Sequence, residues 1–228
     1  MNPSPSATLR LGRLDVCAVS DALDQLGVAS VVTGISPQTA RKRIHGRVVT
    51  VRLAAGPAAP DARGRHLCTT AIERARSGDI VVVEQRTGLD AAGWGGILSN
   101  AASAKGLAGV IVDGPARDLD EATDLGFAVY ARTQTARTAR GRIHEVETGG
   151  PVRMGDVVVV EGDWVVADSS GIAFIPQAEF DRVVTAAERI AHRERLMTQA
   201  VLSGQAVSEV MGIEYERLLD MSLKGIES

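Results

Sequence analysis

An arginine and an aspartate stand side by side at positions 117 and 118, separated by three residues from the end of the apolar stretch 108–113. This stretch predicts a buried strand, and α/β sheets bind ligands at the carboxyl ends of their parallel strands. Arg117 can bind a carboxylate with its planar guanidinium, and Asp118 can bind a hard cation through oxygen. A second interpretation stays open, because Asp118 followed by Glu121 also resembles a capping box at a helix start. Capping would account for Asp118 but not for Arg117.

A glycine-rich loop, GWGGIL at 93–98, precedes a predicted helix over 97–105. The backbone N–H groups of such a loop, together with the positive end of the helix, can hold a carboxylate or a phosphate. The loop is not a dinucleotide fingerprint, because Leu98 stands where the third glycine is needed, and no P-loop lysine follows. An anion site and a tight turn without a ligand both remain open.

Strands and helices alternate through the middle of the chain, which predicts parallel β-α-β units. The predicted strands are 47–53, 79–84, 108–113 and 127–130, and the helices between them are 66–77, 97–105 and 118–125. Short strands follow from 142 onward, and two helices close the chain at about 177–202 and 205–220. We predict an α/β fold with a mixed sheet. A flexible N-terminal tail (1–13) precedes a single domain (14–228) that ends in a helical tail (about 177–220).

Composition excludes several classes of protein. The chain has 25 Lys and Arg against 28 Asp and Glu and only 3% aromatic residues, so it lacks the basic surface and the stacking platforms of a nucleic-acid binder. No apolar run approaches ~18 residues, and no signal peptide is recognisable, so we expect a cytoplasmic protein without a membrane span. Cys17 and Cys68 have no CxxC spacing and are expected to be buried, reduced thiols.

The central motifs resemble one known family. Residues 95–102, 105–106 and 109–118, with 120–121, 125–127 and 130–132, are similar to the family of the regulator of ribonuclease activity A. That family includes the 4-hydroxy-4-methyl-2-oxoglutarate aldolases, which are class II pyruvate aldolases. The likeness extends to 19–24, 46–50 and 167–171 and covers roughly residues 14–220. It implies a β/β/α domain that resembles a phosphohistidine swivelling domain.

The resemblance also implies roles for individual residues. Arg117 would bind the carboxylate of the keto acid, and Asp118 would hold Mg²⁺ or Mn²⁺. The loop would present backbone N–H groups to the substrate from Gly95, Gly96, Ile97 and Leu98. The family assembles as trimers or hexamers with active sites between subunits, and a glutamate reaches in from the neighbour's C-terminal helix. Glu194 is the best match for this glutamate, and Glu188 is the second.

The activity implied is the cleavage of C–C bonds in small 2-oxo acids to give pyruvate. The reactions are retro-aldol cleavage of 4-hydroxy-4-methyl-2-oxoglutarate or 4-carboxy-4-hydroxy-2-oxoadipate, and decarboxylation of oxaloacetate. The alternative is a non-catalytic regulator that binds an RNA-degrading enzyme, although such relatives lack the complete Arg-Asp pair.

This chain departs from the aldolases at Gly96, where they carry an aspartate. Decarboxylation needs no base to remove a hydroxyl proton, whereas retro-aldol cleavage does. We therefore expect decarboxylation to be retained, and retro-aldol cleavage to be weak or directed at another hydroxylated keto acid.

Overall fold

The computed structural model describes residues 5–39, 42–57, 66–212 and 215. The helices are α1 (Pro5–Leu11), α2 (Val16–Gln25), α3 (Thr69–Arg74), α4 (Gly96–Ala104), α5 (Leu119–Asp124), α6 (Phe180–Leu202) and α7 (Val207–Val210). The strands are β1 (Val31–Val32), β2 (Ser36–Pro37), β3 (Ile44–Ala55), β4 (Ile80–Glu84), β5 (Gly109–Ala116), β6 (Val129–Gln134), β7 (Ile143–Thr148), β8 (Val152–Met154), β9 (Val157–Val159), β10 (Trp164–Ala167) and β11 (Ile172–Ile175).

Nine of the strands in the described ranges form one mixed sheet in the order β1-β11-β10-β3-β4-β5-β6-β2, with β7 paired to β3 off this path. The four consecutive strands β3, β4, β5 and β6 are parallel, as the alternation of strands and helices predicts. The remaining pairings in this sheet are antiparallel. Strands β8 and β9 form a separate antiparallel pair.

The longest strand, β3, is shared among three partners. Its first residues pair with β10, its middle with β4 and its last residues with β7. A register shift between Arg52 and Leu53 marks an irregularity in the pairing with β7. An extra residue at such a point bends a strand and increases its twist.

The parallel strands are buried on both faces. One face packs on α3, α4 and α5 through a cluster that includes Val81, Val110 and Leu98. The opposite face, with Val82 and Ile111, packs against β8 and β9. A β-branched, apolar strand such as β4 is what a sheet covered on both faces requires. The helices that follow β4 and β5 therefore start at the carboxyl edge of the sheet, on the first face.

Within the predicted flexible tail at 1–13, residues 5–11 form helix α1. Leu11 is fully buried against α2 and α6, and the guanidinium of Arg10 binds Glu188 with contacts of 2.7 and 2.9 Å. Burial and this ion pair fix a segment whose polar, proline-rich beginning suggested fraying. Cys17 is exposed rather than buried, whereas Cys68 is buried as expected.

Helix boundaries also differ from the prediction. Residues 177–179 form a 3₁₀ turn before α6, and α7 covers only Val207–Val210 of the predicted helix over 205–220. Residues 213–214 and 216–220 of that prediction lie outside the described residues. No helix in the described part of the chain is both long and apolar enough to cross a membrane.

Candidate active site

The loop before α4 is fixed from beneath by a tryptophan. Trp94 is buried, stacks on Phe127 and donates a hydrogen bond from Nε1 to Oγ of Ser99, 2.9 Å away. The Ser99 hydroxyl in turn donates to the carbonyl of Gly95 at 3.3 Å. The loop is therefore held rigidly at the carboxyl edge of the sheet, as a preorganised site requires.

Arg117 and Asp118 follow β5 and meet this loop. The backbone N–H of Arg117 donates to the carbonyl of Trp94 at 3.1 Å. The Oδ2 atom of Asp118 accepts a hydrogen bond from the backbone N–H of Gly96 at 2.9 Å and lies 3.3 Å from Nε of Arg117. The strand end and the loop thus bring together the arginine, the aspartate and the glycines that the sequence singled out.

Asp118 has a left-handed backbone, with φ 56° and ψ 41°. Few residues other than glycine adopt this conformation, although Asp and Asn tolerate it better than most. It turns the carboxylate toward Gly96 rather than along α5, and the side chain makes no capping hydrogen bond. The capping-box interpretation is therefore wrong: a strained aspartate is aimed at the loop.

Two glycines allow this close approach. A Cβ atom on Gly95 would lie 3.0 Å from Oδ2 of Asp118 and 3.2 Å from Nε of Arg117. A Cβ atom on Gly96 would overlap the carboxylate of Glu121. Side chains at these positions would therefore displace the charged groups of the site.

The open side of the site is formed by groups that can bind an anion. The side chain of Arg117 is 37% exposed, and within the described chain no residue accepts a hydrogen bond from its two terminal nitrogens. The backbone N–H groups of Ile97 and Leu98 belong to the first turn of α4, where they have no partner inside the helix. The side chain of Ile97 is 86% exposed and projects from the site.

Glu194 and Glu188 lie on α6, away from this constellation. Glu188 is bound by Arg10 as described above, whereas Glu194 faces an open groove of about 460 Å³ that also includes Asp15. Burial raises the pKa of Glu194, and the negative charges of Asp15 and Asp21 raise it further. None of the described contacts joins Glu194 to Arg117 or Asp118 within one subunit.

Cys68 supports the loop from behind, a role that sequence reasoning missed. Its Sγ lies 3.7 Å from the carbonyl oxygen of Gly93, and its backbone N–H donates to Oε2 of Glu145 at 2.6 Å. Burial raises the pKa of the Cys68 thiol well above its ordinary range, and Glu145 adds to the effect. A neutral thiol of this kind packs against its neighbours and can donate a weak hydrogen bond, but it is not a nucleophile.

Asp113 is a second missed residue. Its carboxylate is almost completely buried, accepts hydrogen bonds from Nε of Arg132 and from the backbone N–H of Gly155, and lies 3.6 Å from Nε of Arg86. These contacts tie the ends of β4, β5 and β6 to the turn between β8 and β9. The only sequence signal was a charged residue inside an apolar strand, where a partner is expected.

A divalent cation would have few protein ligands at this site. Within the described ranges, no group of three or more His, Cys, Asp or Glu side chains could hold a metal ion. Asp118 offers one half-exposed carboxylate, whereas the carboxylate of Glu121 is held by Asn100. Such a sparse oxygen set fits Mg²⁺ or Mn²⁺, which keep waters and take ligands from the substrate.

The family model RraA-like (Aldolase/RraA) matches residues 16–174, a range that contains the whole loop and the Arg-Asp pair. The chain belongs to this family. Its fold agrees: RraAS2 of Streptomyces coelicolor, described as an unusual member of the RNase ES inhibitor RraA protein family, superposes with a TM-score of 0.77. That alignment covers 86% of this chain and 97% of the other at 22% identity, which shows the RraA fold.

Two relatives show the range of RraA-like proteins. A protein of Halalkalibacterium halodurans named "Putative 4-hydroxy-4-methyl-2-oxoglutarate aldolase" is 27% identical over 85% of this chain and 89% of its own length. Protein DlpA of Legionella pneumophila is 22% identical over 90% of this chain, but the match spans only 33% of DlpA.

Proposed function

We propose that this RraA-like protein is a divalent-metal-dependent lyase that cleaves C–C bonds of small 2-oxo acids and releases pyruvate. The observation that carries the proposal is the meeting of Arg117, Asp118 and the backbone of Gly96 at one edge of the sheet. The relative named as an aldolase supports the same reaction class.

Arg117 binds the 1-carboxylate of the substrate. Its Nε is oriented by Asp118, which leaves both terminal nitrogens for a bidentate grip. The amides of Ile97 and Leu98 add donors for the carboxylate, whereas the amide of Gly96 is already occupied by Asp118. This chain therefore orients the substrate through one cation and two backbone donors.

Asp118 would hold Mg²⁺ or Mn²⁺ in this proposal. When bound, the cation supplies positive charge where negative charge develops on the 2-oxo group. Asp118 also fixes Arg117, so one carboxylate positions both positive groups of the site. This shared role explains why a left-handed backbone is retained at Asp118.

Glu194 completes the site of a neighbouring subunit. Glu188 is engaged by Arg10 within its own chain, whereas Glu194 lies in an open groove with a raised pKa. Carboxylates whose charged form is disfavoured in this way are characteristic of functional sites. The proposed assembly is a homotrimer or a hexamer with active sites between subunits.

The direct test is release of pyruvate from oxaloacetate. We expect pyruvate with Mg²⁺ or Mn²⁺ and none with EDTA, measured by a coupled lactate dehydrogenase assay. The matched control is Arg117→Ala protein with the same Mg²⁺, which accounts for decarboxylation by the free ion. No release above this control would refute the lyase. It would favour the alternative, a non-catalytic regulator that binds an RNA-degrading enzyme, the class to which the description of RraAS2 points.

Mixed assemblies test the contribution of two subunits. An oligomer made only of Arg117→Ala chains, or only of Glu194→Gln chains, is expected to lose most of the activity. Assemblies that contain both chains should recover about a quarter to a third of the wild-type rate, because a head-to-tail interface combines one intact residue from each subunit. Recovery is measured on co-purified, differently tagged chains. No recovery in confirmed mixed assemblies would place Glu194 outside the neighbour's site.

A further inference from the structure

A second carboxylate, that of Glu121, lies over the loop of the proposed site. Glu121 projects from the first turn of α5, three residues after Asp118, and occupies the space that a side chain at Gly96 would need. The absence of a side chain at Gly96 therefore leaves no gap, and weak retro-aldol cleavage does not follow from it. It makes room for a carboxylate carried by another element.

Glu121 is held in this position by Asn100. The Nδ2 atom of Asn100 donates to Oε1 of Glu121 at 2.6 Å and to the carbonyl oxygen of Gly96 at 3.0 Å. Asn100 thus binds the carboxylate and the loop together, so that Oε2 is the oxygen nearest the position of a Gly96 Cβ. A fixed side chain of this kind can act on a substrate without first paying for its own ordering.

The free oxygen of Glu121 is available to a donor on the substrate. In the described part of the chain, Glu121 forms no ion pair, and no group donates a hydrogen bond to Oε2. Arg117 is engaged by Asp118 instead, at 3.3 Å. One side of the site thus binds a carboxylate, and the other offers an unoccupied acceptor.

We propose that Glu121 is the general base of retro-aldol cleavage, and that it makes hydroxylated 2-oxo acids substrates of this chain. This inference rests on the proposed function. Oε2 takes the proton of the C4 hydroxyl group, the C4–O bond becomes a carbonyl, and the C3–C4 bond breaks. The electron pair of that bond remains on the pyruvate fragment as its enolate. Glu121 then returns the proton to C3, which completes pyruvate and regenerates the carboxylate.

Decarboxylation distinguishes this role from a structural one. Oxaloacetate has no C4 hydroxyl proton to remove, because its C4 is a carboxylate. This carboxylate leaves as CO₂, and the electron pair of the broken bond remains on the pyruvate fragment. A base at Glu121 therefore contributes to retro-aldol cleavage and not to the loss of CO₂. A side chain that merely held the loop would affect both reactions alike.

The first experiment compares both reactions in Glu121→Gln, which keeps the shape of the side chain. We expect kcat/KM for 4-hydroxy-4-methyl-2-oxoglutarate to fall by about 10²–10⁴-fold, the usual worth of a general base, while oxaloacetate decarboxylation changes by less than about threefold. The matched control is Asp124→Asn, an exposed acid on the same helix, which should change neither. Mg²⁺ affinity, measured by titration calorimetry, should be unchanged in Glu121→Gln.

The second experiment moves the carboxylate. Gly96→Asp alone forces two carboxylates into one space and should lower both activities. Gly96→Asp combined with Glu121→Ala removes that overlap and offers a carboxylate from the loop. This double variant should cleave the aldol at least about tenfold faster than Glu121→Ala alone. Rescue of this kind is not expected if Glu121 acts only through packing.

Each contrary outcome has one meaning. Equal losses of both reactions in Glu121→Gln, or a loss of Mg²⁺ affinity, would overturn the assignment of Glu121 as the base. A wild-type chain that decarboxylates oxaloacetate but cleaves no hydroxylated 2-oxo acid would also overturn it, while leaving the lyase intact. A wild-type chain inactive in both reactions would instead overturn the proposed function.

Discussion

Replacing Asp118 by glycine is expected to remove activity while leaving the protein almost as stable as before. The carboxylate that orients Arg117 and would hold the cation is lost, so kcat/KM should fall by at least about 100-fold, the cost of removing one preorganised electrostatic group. Glycine adopts φ 56° without the penalty of about 1–2 kcal/mol that a Cβ atom brings to a left-handed backbone. The relief of this backbone strain offsets much of the stability that is lost with the hydrogen bond between Asp118 and Gly96.

Three variants separate the two effects. Asp118→Asn keeps the tolerance for the left-handed backbone but loses the charge, and it should be as inactive as Asp118→Gly. Asp118→Ala should be inactive and also melt lower than Asp118→Gly by about 2–4 °C for each kcal/mol of backbone strain. Asp120→Asn, which changes an exposed acid in the first turn of α5, is the matched control for charge. Wild-type turnover in Asp118→Gly would contradict the role of this carboxylate.

Replacing Arg117 by lysine is expected to fail almost as badly as replacing it by alanine. A lysine ammonium is a point charge that cannot donate two parallel hydrogen bonds to a carboxylate, nor be oriented through an Nε atom by Asp118. We expect kcat/KM for oxaloacetate to fall by at least about 100-fold in both variants, since the substrate is no longer held in the reacting geometry.

The matched control for Arg117→Lys is Arg137→Lys. Arg137 is also paired with an aspartate, Asp90, at 3.1 Å, but both side chains are largely exposed. A pair in solvent contributes little, so this variant should retain wild-type kinetics and melting temperature. Near-normal kcat and KM in Arg117→Lys, measured beside this control, would show that the planar guanidinium is not needed.

The parallel part of the sheet was predictable because its signals are local. A run of β-branched residues such as β4, and a glycine with positive φ after α4 and after α5, indicate where a strand lies and where a helix ends. Strands β1 and β2 have only two residues each and are held by their neighbours in the sheet, so no sequence pattern indicates them. Helix α1 forms because Leu11 is buried, which is a tertiary effect.

The site was predictable only in part, for a physical reason. The position of Arg117 and Asp118 follows from the end of a buried strand, which sequence indicates well. The direction of the Asp118 side chain depends on a left-handed backbone and on a loop more than twenty positions earlier in the chain, with Gly96 at 2.9 Å. Local reasoning therefore left a cap open as a second interpretation of Asp118. Glu121 was seen only as the other half of that cap, although its spacing of three residues from Asp118 places both on one side of α5.

The sharing of β3 among three partners has a consequence for how the chain folds. Its partners lie far apart in sequence: β4 at 80–84, β7 at 143–148 and β10 at 164–167. During synthesis the longest strand of the sheet, 12 residues, leaves the ribosome well before two of its three partners exist. Pairings that close such long loops are slow to form, and an uncovered apolar strand is prone to aggregate meanwhile. Strand β3 therefore stays partly unpaired until residues 143–167, which include β7 and β10, have been synthesised.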